Sequence, residues 1–204
     1  MKSILFSICI AALLWFLMFS PYTGNLVNFW VAMSCSALVL SVLAGKFHPQ
    51  WALDISIGWK TICLGFFIAI ALWGVFWLGD KVAAYLFSFA RPQVDLIYGL
   101  KNGENKWLLS ALLFFLIGPA EEVFWRGYIQ RVLSDRWNPN KGLVVTTLLY
   151  ALVHIWSFNF MLVMAALVVG AAWGLLYRFY PKQLSAIMLS HALWDVAVFV
   201  LFPI

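Results

Sequence analysis

Glu121-Glu122-Val123-Phe124-Trp125-Arg126 places two adjacent carboxylates and a guanidinium directly after the apolar run Ala111-Leu112-Leu113-Phe114-Phe115-Leu116-Ile117. An ionised side chain at the centre of a membrane helix costs about 2.5–3.5 kcal/mol on the more modest scales. Such groups persist in apolar stretches when they are paired, face a wet cavity or take part in chemistry. Three further polar groups lie in later apolar stretches: His154, His191 and Asp195. Helical spacing relates them to their neighbours. Glu122 and Arg126 are four apart and share a face, whereas Glu121 is turned by about 100° and meets a different neighbour. Tyr150 and His154 are also four apart, as are His191 and Asp195. A carboxylate one turn from an imidazole orients it. Pro119, beside Gly118, removes a backbone hydrogen bond and kinks the helix, making room for water next to Glu121.

Two chemistries suit these residue types. In one, Glu121 and His154 share a water and act as its general base, while His191 and Asp195 hold the oxygen of an attacked carbonyl. Burial raises a carboxylate towards a useful base, and donors aimed at a developing oxyanion supply much of the acceleration. In the other, the two Glu, two His and one Asp bind zinc or manganese, which activates the water. No HExxH is present to favour a zinc protease of that type, and Arg126 beside Glu122 repels a metal cation. A third reading is that the pairs only fasten helices together. Five ionisable groups converging on one depth weigh against it, because each costs free energy to bury.

The elements that position these groups are membrane helices. Of the 204 residues, 65% are hydrophobic and only 10% charged, against roughly 25% charged in ordinary soluble domains; the mean hydropathy is +0.94. The pattern predicts an all-α polytopic transmembrane bundle of about seven spans, at 4–20, 24–44, 58–79, 107–127, 143–160, 161–179 and 184–203. The fifth and sixth share one apolar stretch, and Trp156-Ser157-Phe158-Asn159-Phe160 is the turn between them. At 1.5 Å of rise per residue, Glu121 lies roughly 21 Å from the inner face, His154 about 20 Å, and His191 and Asp195 about 12–18 Å. The first run lacks a small-x-small cleavage site and reads as a span, not a signal peptide. No soluble domain is left over, so residues 1–204 form one transmembrane domain. Residues 1–106 provide N-terminal spans and an interfacial loop, and residues 107–204 the site.

The net charge of +5 is scattered at span ends, which excludes a nucleic-acid patch. The positive-inside rule favours an inner N-terminus, through Lys2, Lys46, Lys60, Arg131, Arg136, Lys141, Arg178 and Lys182. The loop 80–106, with Lys81, Arg91, Lys101 and Lys106, dissents, and 82–87 within it reads as a short interfacial helix. Trp51, Trp59, Trp107 and Trp137 suit an aromatic belt. Ala166, Gly170 and Gly174 form a small-residue stripe for close helix packing, within the chain or between chains. Cys9, Cys35 and Cys63 read as free, packed thiols.

At its polar residues the chain resembles the CPBP family, which includes the CAAX proteases and bacteriocin-processing enzymes and is also called the Abi family. The family's pattern is EExxxR, then FxxxH, then HxxxN or HxxxD on successive helices. Here it reads Glu121-Glu122 to Arg126, Tyr150 to His154, and His191 to Asp195, over roughly residues 107–200. The resemblance implies an intramembrane glutamic endopeptidase without an obligate metal or other cofactor. Glu121 and His154 would activate water, His191 and Asp195 would stabilise the oxyanion, and Glu122, Arg126 and Tyr150 would support the site. Tyr150 departs from the family's Phe by a hydroxyl. Asp195 departs from the Asn of the CAAX-processing members, and an ionised Asp cannot donate to an oxyanion. Asp195 is therefore either protonated or acts by orienting His191.

The expected partners are the lipid bilayer and a membrane-associated peptide or protein substrate. The expected location is a prokaryotic plasma membrane, given the small size and lack of retention signals. Two other functions compete: a non-catalytic immunity or scaffold protein, and a proton-coupled transporter, for which midplane Glu and His also suit but no inverted repeat is visible. Because Asn is a relative's choice, Asp195→Asn is expected to keep substantial peptidase activity. A dead, normally expressed variant would mean that the carboxylate itself is required.

Overall fold

The computed structural model describes all residues from 1 to 204, and every regular element is helical. In chain order the helices are α1 (Lys2–Phe19), α2 (Phe29–Phe47), α3 (Trp59–Leu86), α4 (Ala90–Gly99) and α5 (Lys106–Arg136). They are followed by α6 (Pro139–Leu152), α7 (Phe160–Phe179) and α8 (Leu184–Val196). Six segments are long and apolar enough to cross a membrane: α1, α2, α3, α5, α7 and Pro181–Leu201, which contains α8. The expected fifth span, 143–160, is α6 followed by the tighter 3-10 turn Val153–Ser157, so its regular part is only 14 residues long. The turn expected at 156–160 is present: Phe158 takes a positive φ of 49° and Asn159 starts α7.

Asparagine starts four of the helices. Asn28, Asn105, Asn138 and Asn159 each accept a hydrogen bond from a backbone N–H in the first turn of α2, α5, α6 and α7. These side chains satisfy donors that no helical carbonyl reaches. At α6, Pro139 follows its cap in the first turn, where its missing N–H costs nothing.

The 80–106 segment differs from the expected interfacial loop. Residues 82–86 continue α3, which is 28 residues long, and the separate short helix is α4. The apolar character of α3 carries on past Gly79-Asp80, and Arg91 folds back to pair with Asp80 at 3.1 Å. Trp51 is not a simple belt residue: its Cβ packs 2.9 Å from where a Gly127 Cβ would lie. Trp59 and Trp107 are exposed as expected of a belt. Cys9 and Cys35 are free but exposed on the outer surface of the bundle, and Cys63 is half-buried.

α5 is the central element. Half of its most apolar window is buried, as for Pro181–Leu201, against 17% for α3, which lies at the periphery. Phe124, Trp125 and Ile129 of α5 are sealed from solvent. α5 is not uniform: π-helical turns at Leu113–Ile117 and Val123–Gln130 flank the α-helical turn Gly118–Glu122. The first π turn directly precedes Pro119, whose ring and missing N–H disturb the ordinary ladder. Such π turns recur inside α-helices at functional sites.

Glycines set how closely α5 is approached. A Cβ on Gly118 would lie 3.0 Å from the Ala192 nitrogen and 3.1 Å from its Cα, so α5 and α8 meet backbone to backbone. Gly170 and Gly174 of the small-residue stripe pack within the chain, against Tyr150 and Leu143 of α6. Gly118→Ala is expected to destabilise the folded protein by about 1–3 kcal/mol, because backbone must move to admit the methyl. Gly74→Ala, where nothing lies within 4 Å, is the control. Thermal unfolding of both variants in detergent decides it, and equal midpoints would refute the close approach.

Candidate active site

The α5–α8 contact at Gly118 brings the next turn of α5 against the imidazole of α8. Glu122 Oε1 accepts from Arg126 Nη1 at 2.8 Å and from His191 Nδ1 at 2.7 Å. Glu122 is fully buried and Arg126 is 1% exposed. Arg126 Nη2 also donates to the Gly170 carbonyl at 3.2 Å, and one turn later Gln130 donates to the Gly174 carbonyl at 2.8 Å. The bare glycines leave these carbonyls open to a second donor, so the stripe serves hydrogen bonding as well as packing. The guanidinium lies over the Tyr150 ring at 4.8 Å and near Trp173 at 5.6 Å.

His191 is clamped on several sides. Trp173 stacks on its ring with centroids 4.0 Å apart. A carboxylate can only accept, so Nδ1 carries a proton towards Glu122. The other nitrogen, Nε2, lies 3.4 Å from Asp195 Oδ2, a long contact. The expected His191–Asp195 pairing is therefore present, but the tighter partner of His191 is Glu122.

Glu121 faces elsewhere, as the 100° rotation between neighbours requires. Its Oε2 accepts from the Tyr150 hydroxyl at 2.9 Å. The hydroxyl that distinguishes Tyr150 from phenylalanine thus lands on this carboxylate. His154 lies one turn beyond Tyr150. Its Nδ1 lies 2.8 Å from the Tyr150 carbonyl, and its Nε2 accepts from Trp15 Nε1 of α1 at 3.0 Å. A carbonyl can only accept, so the proton is on Nδ1 and both ring nitrogens are engaged. Trp15 and Trp173 carry no sequence signal of these contacts. In an aromatic-rich chain with 12 tryptophans, nothing in their spacing separates them from packing residues.

Glu121, Tyr150, His154, His191 and Asp195 all line one cavity of about 410 Å³. Glu122 and Arg126 are sealed behind it. The rest of the wall is mostly apolar, with Phe76, Trp194 and Phe199 among its aromatics. At its outer end stand Asp80, Tyr98 and Ile204. No three His, Cys, Asp or Glu side chains are grouped to hold a metal ion, and Arg126 already occupies the Glu122 oxygen. The donor set does not fit a resident metal.

One carboxylate thus faces the cavity, with two oriented imidazoles beside it and a buried charged pair behind. Residues 103–197 match the family model described as type II CAAX prenyl endopeptidase Rce1-like. The match runs from just before α5 through the end of α8, to a family within the CPBP group that the three motifs resemble. No curated protein and no solved structure matches the chain. The family supports a CAAX-type protease embedded in a bilayer and acting on a peptide substrate, and the chain is an integral multi-pass membrane protein.

Removing one partner of a buried ion pair leaves the other uncompensated and typically costs about 3–5 kcal/mol. Glu122→Ala and Arg126→Ala are each expected to destabilise the protein by about that much. The double replacement Glu122→Ala with Arg126→Ala should cost less than the sum of the single changes. A double-mutant cycle on thermal stability measures the coupling; additive losses would refute the pairing.

Proposed function

We propose that the protein is an intramembrane glutamic endopeptidase that hydrolyses a peptide bond of a membrane-associated protein or peptide. The observation that carries this reading is the single cavity shared by Glu121, His154, His191 and Asp195, residues drawn from three helices. Glu121 is the general base. Tyr150 holds one of its oxygens and fixes the plane of the carboxylate, leaving Oε1 for a water. The water gives its proton to Glu121 and its oxygen attacks the carbonyl carbon. The oxyanion forms beside His191, whose Nε2–H donates to it. Asp195 orients that ring. As the tetrahedral intermediate collapses, Glu121 returns the proton to the leaving amine.

His154 orients the site in this scheme. Its one lone pair is held by Trp15, so it serves as a second base only when that bond opens. Glu121 needs no such change. We infer further that the N-terminus faces the inner side of a prokaryotic plasma membrane, as the distribution of Lys and Arg favours.

Glu121→Ala at matched abundance is expected to abolish cleavage, read as peptide termini that are present in wild-type membranes and lost in the variant. Unchanged termini, where loss of the protein has a phenotype, would favour a non-catalytic binding role instead. Activity is expected to survive EDTA and phenanthroline. Loss that zinc restores would overturn the glutamate mechanism.

A further inference from the structure

The last helical turn, Ala197–Leu201, ends at the outer end of the catalytic cavity, and residues 202–204 leave it there. Phe202 leaves the helix at φ −137° and ψ 65°, and Ile204 lines the cavity wall. What holds this segment is unusual in one respect. Lys101 Nζ donates to the Phe199 carbonyl at 2.6 Å, and Trp73 Nε1 donates to the Phe202 carbonyl at 3.0 Å. The Ile204 N–H donates to the Tyr98 hydroxyl at 3.0 Å, and Arg91 Nη1 donates to the Ile204 carbonyl at 3.2 Å. All four bonds go to the main chain of the segment. The Phe202 side chain is 61% exposed and gives no anchorage.

Donors and acceptors that read only main-chain atoms accept an extended strand of almost any sequence, as in other modes of peptide recognition. The groups that do the reading are themselves braced. Arg91 is held by Asp80 at 3.1 Å and by Asp95 at 2.8 Å. α4, which carries Arg91 and Tyr98, is fixed to α7 through Gln93: its carbonyl accepts from Asn159 Nδ2 at 2.7 Å, and its Oε1 accepts from the Met161 N–H at 3.0 Å. Burial pushes the Tyr98 hydroxyl up from its ordinary value, against the Ile204 N–H bond and Arg91, which lower it. The hydroxyl therefore stays protonated and keeps a hydrogen to donate.

We propose that Trp73, Arg91 and Tyr98 form a main-chain-reading peptide site at the outer end of the catalytic cavity, occupied by residues 202–204 as a pseudo-substrate and taken over by an extended substrate segment. The identity of the incoming segment as substrate rests on the protease reading above; the site itself does not. A tethered occupant competes at a high effective concentration, in the millimolar range for short tethers. The site therefore discriminates against weakly binding segments and favours those whose apolar side chains fill the cavity where Ile204 now sits.

The test has a binding arm and a turnover arm. The probe is a fluorescent, C-terminally amidated peptide with the sequence of residues 199–204, Phe-Val-Leu-Phe-Pro-Ile. Fluorescence anisotropy should detect its binding to protein lacking residues 202–204 about tenfold more tightly than to the intact chain. Adding Arg91→Gln or Tyr98→Phe to the shortened protein should reverse the gain. The intact chain carrying Ile204→Gly is the second variant, used should the shortened chain not purify folded, and it too should bind the peptide more tightly than wild type. In the turnover arm, removal of residues 202–204 should lower KM for a membrane peptide reporter about tenfold and leave kcat unchanged. Equal peptide affinity for intact and altered chains would overturn the proposal, as would tighter binding that is indifferent to Arg91 and Tyr98. Absence of turnover in every form, with the binding pattern intact, would sink the protease reading and leave the peptide site standing.

Discussion

One carboxylate oxygen of Glu122, held between Arg126 and His191, organises the rest of the molecule. It sits where no solvent reaches, so each of the three groups depends on the other two for its charge or proton. Taking ions from water costs several kcal/mol apiece, and only short, well-directed bonds offset that cost. The bonds here are 2.7 and 2.8 Å. To make them, α8 must lie backbone to backbone on α5 at Gly118 and Ala192, and α7 must offer the Gly170 carbonyl to Arg126. The close packing of three helices is thus a condition of burying the charges, and the buried charges in turn fix the register of those helices.

The two adjacent glutamates divide the work because a helix turns about 100° between them. Glu122 faces the packed interior and aims His191. Glu121 faces the cavity and meets Tyr150. The orienting contacts come from aromatic side chains that are apolar enough to be buried and still carry one polar atom. Trp15 reaches His154 from α1, Tyr150 reaches Glu121 from α6, and Trp173 lies flat on His191 from α7. Trp15 lies outside the family-matched segment 103–197, so the N-terminal helices also help to define the site.

The cavity joins the site to the outer rim. Its deep end carries the ionisable groups and its wall is apolar, which suits a peptide segment that leaves lipid with its own side chains unhydrated. At the rim, α4 is tied by hydrogen bonds to α7 and by Arg91 to Asp80 in the last turns of α3. The segment 199–204 closes the ring of contacts. Polar side chains reading main-chain atoms at the rim, and apolar ones filling the depth, divide recognition between backbone and side-chain features of whatever occupies the cavity.

Composition and pattern already require a bundle of membrane helices, because uninterrupted apolar runs satisfy their backbone in a bilayer only as helices. The pattern also determined the ion pair of Glu122 with Arg126, since residues four apart on a helix must meet. The turn near Phe158 and the stripe at Gly170 and Gly174 were legible for similar local reasons. Tertiary structure alone decided that Glu122, not Asp195, is the close partner of His191. The i,i+4 rule sees only contacts within one helix, and the 2.7 Å bond crosses from α5 to α8. The roles of Trp15 and Trp173 were hidden for the same reason: a tryptophan's place in an apolar stretch says that it is buried, not which imidazole it meets. The end of α3 was misjudged because Asp80 reads locally as the start of a loop. Its cost in the helix is offset by Arg91, 11 residues on, and a charge with a distant partner has no local signature.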